Sequence, residues 1–218
     1  MRVAGSYLPV MTVSPRAALA HLRRVDPVLG ELIARVGPYR LEVRRTGTHY
    51  HALVRSIVFQ QLSGRAASTI HRRFAELYPG GRIRAELVLA STDEQLRSAG
   101  LSRQKIGYLR DLSDRVASRT LPLAHLGRLE DDAIIEHLVQ IKGIGRWTVQ
   151  MFLMFRLGRP DVLPELDLGV QNAIQRAYGL PKRPTPKEVL AIGEKWRPYA
   201  SMASWYLWRS LENGDGQL

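Results

Sequence analysis

The stretch LEDDAIIEHLVQIKGIGRWTVQMFLMF, Leu129 to Phe155, decides the fold. Ile134, Ile135, Leu138 and Val139 recur at helical spacing, so an amphipathic helix is expected over about Asp131 to Gln140. It runs into Lys142-Gly143-Ile144-Gly145, and a second helix starts near Arg146. Gly143 and Gly145 allow positive φ and close backbone approach, and Ile144 between them can tuck down between the helices. The expected product is a tight helical hairpin with backbone N–H groups exposed at a helix N-terminus. Such groups, at the positive end of a helix dipole, hold a phosphate without needing any particular side chain. Lys142 and Arg146 add charge around them. A glycine-rich turn that binds nothing uses the same residues, so the choice rests on the rest of the chain.

Charge is the most informative bulk property. The 218 residues carry 32 Lys+Arg against 20 Asp+Glu, a formal net charge of +12. Such an excess favours a polyanion partner, because phosphate neutralisation releases counterions and supplies affinity without special geometry. The chain has no cysteine, which excludes disulfides, thiolate zinc sites and cysteine-ligated iron–sulfur clusters and fits a reducing compartment. No apolar run approaches the roughly 20 residues that span a bilayer, and no signal-peptide pattern opens the chain. A cytoplasmic protein is therefore expected, nucleoid-associated if bacterial, with no membrane partner. His49 and His51 lie near one another, but no third ligand is in range for zinc.

Helix punctuation recurs along the chain. Ser14 and Pro15 open one helical pattern and Asp26-Pro27 ends it. Thr92 with Gln95, and Thr185 with Glu188, have capping-box spacing. Trp196, Trp205 and Tyr206 read as core, and the last helix is expected to stop before Asn213-Gly214. The class is all-α, with nine to eleven helices; Leu41 to His51 alone reads as a short extended hairpin. Proline and glycine cluster in GRPDVLPELD, Gly158 to Asp167, the best candidate for a crossing between lobes. Asp167 at its end precedes a helical run, Leu168 to Tyr178, and suits an N-cap whether or not it also meets a substrate.

IKGIGRWTVQMF followed by DVLPELDLGVQNAIQRAYGL resembles the helix-hairpin-helix and Gly/Pro-Asp loop of the base-excision DNA glycosylase superfamily. The similarity extends from about Tyr50 to Trp208, including RSIVFQQLSGRAAS and AGLSRQKIGYL, and is closest to the 3-methyladenine DNA glycosylase II (AlkA-like) branch. The resemblance implies a two-lobed fold: a middle bundle over 50–159 that ends in the hairpin, and a second lobe from 1–49 with 160–218 that carries Asp167. It implies a protein that grips double-stranded DNA containing a damaged base, flips that base into a cleft and hydrolyses the N-glycosidic bond, a task that suits a monomer. Alkylated bases of the 3-methyladenine and 7-methylguanine type are the implied substrates.

Residue by residue, the resemblance gives Asp167 the catalytic role of stabilising an oxocarbenium-like sugar. Asp161 and Glu165 are competing carboxylates of the same loop. Trp147, Met151 and Trp208 would line the base pocket, Met151 standing where a familiar member has an aromatic ring. Gln61 would be the wedge that fills the gap left by the flipped base, although a surface amide reads equally well from the residues alone. Lys142, Gly143, Ile144, Gly145, Arg146 and Thr148 would meet DNA phosphates, and Ser102, Arg103 and Lys105 are weaker candidates. Superfamily members that also cut the strand carry a lysine at the place of Trp147, so no lyase step is expected. No cofactor is required; an Na or K ion on hairpin carbonyls near Ile141 and Ile144 would be structural. Two alternatives stand beside this reading: a glycosylase for uracil or an oxidised purine, and a helix-hairpin-helix DNA-binding protein without catalysis.

Overall fold

Local capping chemistry starts most of the helices. In the computed structural model, which describes residues 14–121 and 123–212, Ser14 accepts the Ala17 N–H and Pro15 opens α1 (Pro15–Val25). Asp26 ends α1 and caps α2 (Pro27–Val36) through Leu29 N–H. Thr48 caps α3 (His49–Phe59), Ser63 caps α4 (Gly64–Glu76), and both capping boxes, Thr92–Gln95 and Thr185–Glu188, form. Each cap supplies an acceptor to an N–H that has no partner within its helix.

The described residues form twelve α-helices, three 3-10 turns and one π-helical turn, and no strand. The all-α class holds, while the extended hairpin over 41–51 does not: Thr48 nucleates α3, so His49 and His51 belong to a helix. The helix number exceeds nine to eleven because α5 (Ala85–Ala90), six residues long and without a side-chain cap, is too short for apolar periodicity to reveal, whereas α6 (Asp93–Ser98), equally short, is marked by its Thr92–Gln95 capping box. The Asn213-Gly214 stop lies outside the described residues; α12 runs to Glu212. Among the described residues no helix is long and apolar enough to cross a membrane.

The chain divides into two compact units, Arg45–Phe152 and the described residues up to Arg44 together with those from Leu153 onward. The division falls a few residues before the limits of 50 and 159 read from sequence. Its position follows from the backbone: α9 (Arg146–Phe152) passes into a π-helical turn at Leu153–Leu157, and Phe155 C=O accepts the Arg44 N–H.

In the unit spanning 45–152, α3 packs on α4 and on α7 (Arg103–Ala117), α5 lies along α7, and α8 (Asp131–Leu138) pairs with α9. Its core includes Leu53, Ile57, Phe74, Leu96, Leu109, Leu112 and Leu126, all fully buried. In the other unit α2, α10 (Leu168–Ala177) and α12 (Ala200–Glu212) enclose Leu29, Ile33, Ile174, Trp196 and Tyr206, with α11 (Pro186–Gly193) alongside. Asp26 is buried there and accepts hydrogen bonds from Trp196 Nε1 at 2.7 Å and from the Tyr178 hydroxyl, with Lys195 Nζ at 3.1 Å. Burial opposes its charge, but Tyr178, Trp196, the Leu29 N–H and Lys195 together outweigh that and hold the carboxyl below its ordinary range.

Candidate active site

The hairpin closes between α8 and α9. Ile144 is buried, and its N–H donates to Ile141 C=O at 3.0 Å. Gly143 has φ +79, and a Cβ there would lie 2.1 Å from the Tyr108 ring of α7, so backbone and packing both demand glycine. Gly145 differs from expectation: it lies outside the positive-φ region, and a Cβ on it would meet nothing within 4 Å. No neighbour among the described residues requires glycine at that position. The Lys142 N–H is bound to Asp111 Oδ2 at 2.9 Å. Among the described residues the N–H groups of Gly143 and Gly145 make no hydrogen bond. Thr148, grouped by resemblance with the phosphate contacts, is buried instead.

Beside the hairpin opens a hollow of about 540 Å³, whose lining includes Trp147, Thr148 and Met151 of α9, Phe59 to Gln61, and Lys105 and Tyr108. Trp147 is 42% exposed, unusual for a core tryptophan and suited to a surface that meets a flat ligand. Gln61 follows α3 at an exposed tip with φ +57, a conformation rare for a residue with a side chain. Lys105 points to the C-terminal carbonyls of α3 rather than outward, donating to Val58 C=O at 2.7 Å and Gln60 C=O at 2.8 Å. Ser102 caps α7 through the Lys105 N–H.

The other unit holds the acid. Asp167 is the N-cap of α10: its Oδ1 accepts Val170 N–H at 2.8 Å and also Trp208 Nε1 at 2.8 Å. Trp208 in turn stacks on Phe155, ring centres 5.9 Å apart and planes at 25°. Gly169 permits this arrangement, since a Cβ there would come within 2.9 Å of Asp167 Oδ1 and 3.0 Å of Trp208 Cδ1. Of the competing acids, Asp161 has its carboxylate engaged elsewhere. Asp161 pairs with Arg197 at 2.8 Å and accepts Ala200 N–H, and Glu165 is buried in the loop with its carbonyl on Gln171.

Sequence reasoning missed Phe155, Gly169, Tyr108 and the use of Lys105. Only Gly169 left a local trace, as a glycine in the first turn of a helix where propensity does not favour it.

Residues 54–198 match the HhH-GPD superfamily of base excision DNA repair proteins. The chain belongs to that superfamily. It is 36% identical over 201 residues to DNA-3-methyladenine glycosylase 1 of Schizosaccharomyces pombe, covering 89% of this chain and 87% of that one. It is 39% identical over 173 residues to a putative DNA-3-methyladenine glycosylase, YfjP, of Bacillus subtilis, covering 75% of this chain and 59% of the relative. Among solved structures it resembles S. pombe 3-methyladenine DNA glycosylase (Mag1) in complex with abasic DNA, with TM-score 0.82, 35% identity, and coverage of 93% of this chain and 100% of that one. The HhH-GPD residues matched here span the hairpin, its Gly/Pro loop and Asp167.

Proposed function

We propose that this HhH-GPD protein is a monofunctional DNA glycosylase that releases alkylated bases of the 3-methyladenine and 7-methylguanine type from double-stranded DNA. The observation that carries the reading is Asp167, a helix-capping carboxylate with Trp208 on its Oδ1, within a chain that is 36% identical over 201 residues to a DNA-3-methyladenine glycosylase.

The chemistry follows from charge. As the base departs with the electron pair of the N-glycosidic bond, positive charge builds on the sugar, and water adds at C1′ while losing a proton. A preorganised carboxylate stabilises that charge better than mobile water does. The Trp208 and Val170 N–H donors fix one oxygen of Asp167 at the α10 N-terminus. Trp147 and Met151 offer an electron-rich aromatic face and a polarisable thioether to a cationic purine. Trp147 stands where lyase-active relatives place lysine, so the abasic strand stays intact.

Gly143 and Gly145 supply the phosphate contact, with Lys142 and Arg146 around it. The open space over Gly145 suits a backbone that comes close from outside, and Gln61 is the wedge. A hairpin offers only neutral backbone oxygens to a cation, which fits a weakly held Na or K ion; the carbonyls of Ile141 and Ile144 would hold it, and it would steady the turn. The protein works as a monomer, since one lesion occupies one site.

Duplexes carrying single defined lesions test the reading. Base release from 7-methylguanine DNA, with strand breaks appearing only after alkali, is expected. Breaks without alkali, or release confined to uracil or oxidised purines, would overturn it.

A further inference from the structure

We propose that Lys105 and Gln60 clamp the C-terminal end of α3 and thereby set the position of the Gln61 wedge, making both of them positioning residues for base flipping. The inference rests on the wedge reading of Gln61 given above.

Gln61 adopts φ +57 at an exposed tip, so its neighbours must hold it there. On its N-terminal side the last carbonyls of α3 lack helical partners, and the Lys105 ammonium takes two of them, Val58 at 2.7 Å and Gln60 at 2.8 Å. A positive charge at the negative end of a helix dipole strengthens both contacts. On its C-terminal side Ser63 starts α4 by accepting Ala66 N–H. The side chain of Gln60 reaches across to the hairpin and donates Nε2 to Gly143 C=O at 2.7 Å.

α7 carries both supports. Lys105 and Tyr108, three residues apart on one face, bear respectively on the end of α3 and on Gly143. The Tyr108 hydroxyl is itself held by Gln104 Nε2 at 2.6 Å. A hairpin seated on a phosphate is thus connected to the wedge through one side-chain amide and one helix face. Lys105, although a cation close to the hairpin, is spent on protein carbonyls and is not a DNA contact.

Lys105→Met removes the ammonium and keeps the stem; Gln60→Leu cuts only the tie to Gly143. The test measures single-turnover release from a 7-methylguanine duplex at saturating enzyme, fluorescence of a 2-aminopurine placed beside the lesion as the flipping readout, thermal unfolding, and affinity for undamaged duplex. Both variants are expected to lose about 10-fold to 100-fold in release rate, as a misplaced group does, with slowed 2-aminopurine response and affinity for undamaged duplex changed by less than about 3-fold. In a double-mutant cycle, adding either variant to Gln61→Ala is expected to cost nothing further, because both act through Gln61. Additive losses overturn the clamp while leaving the wedge standing, and an effect of Lys105→Met confined to DNA affinity does the same. Should Lys105→Met fail to fold, Gln60→Leu decides alone. Full activity in Gln61→Ala overturns the wedge and the clamp with it.

Discussion

Gly143 and Gly145 are two residues apart and are glycine for different reasons. At Gly143 a methyl group collides with the Tyr108 ring and the backbone is left-handed, so Gly143→Ala is expected to lower unfolding free energy by about 1–3 kcal/mol, measured by urea denaturation. At Gly145 nothing among the described residues opposes a methyl group, so Gly145→Ala is expected to change stability by less than about 0.5 kcal/mol. It should nevertheless weaken binding to undamaged duplex in an anisotropy titration, because on the proposed function the added group stands where a phosphate approaches. Unchanged affinity would remove Gly145 from the interface. Asp167 can be separated from its capping role in the same way. Asparagine keeps an acceptor for Val170 N–H and Trp208 Nε1, so Asp167→Asn is expected to fold normally and bind DNA while base release falls about 100-fold to 1000-fold. Full activity in that variant would sink the assignment of the carboxylate.

At the scale of elements, α3 and α4 meet through a histidine whose charge the packing opposes. Burial, reinforced by His51 and Arg55 of α3, lowers the His71 pKa from 6.5 to about 4; the His51 ring lies 5.1 Å away and Phe59 also faces it. The unfolded chain then binds a proton that the folded chain refuses, so this part of the stability is complete above about pH 6.5 and declines as pH falls towards 4. The urea midpoint of the wild type should fall across that range, and His71→Phe, which cannot titrate, should fall less. Parallel curves would show that His71 does not govern the contact. Elements also show what a sequence can and cannot reveal. Caps such as Thr92–Gln95 and Thr185–Glu188 span four residues, so their chemistry is visible in the string itself. The Lys105 bonds to α3 and the Trp208 bond to Asp167 join residues more than forty positions apart, and no local signal marks them. Lys105 consequently reads as a surface cation until its partners are seen. The π-helical turn at Leu153–Leu157 was equally invisible, being a change of backbone register inside one continuous apolar run.

At the scale of the whole molecule, the proposed function makes the excess of positive charge a matter of binding rather than of chemistry. On the proposed mechanism Asp167 acts at one sugar, whereas the net charge of +12 acts along the phosphate backbone, so salt should affect the two differently. Neutralising about four phosphates gives a slope near −3.6 in log affinity against log salt, a loss of about 150-fold between 50 and 200 mM. The single-turnover rate at saturating enzyme should stay nearly constant over the same range, because a hydrogen-bonded carboxylate inside a protein is screened far less than surface lysines and arginines. Measuring release rate against enzyme concentration at several salt concentrations separates the two effects: the half-saturating concentration should climb while the plateau holds. A flat half-saturation point would contradict phosphate anchoring by the hairpin and its basic flanks. A plateau that fell with salt in step with affinity would instead mean that the ionic contacts are made chiefly in the transition state, and would move the role of the charge from holding DNA to driving the base out of the helix.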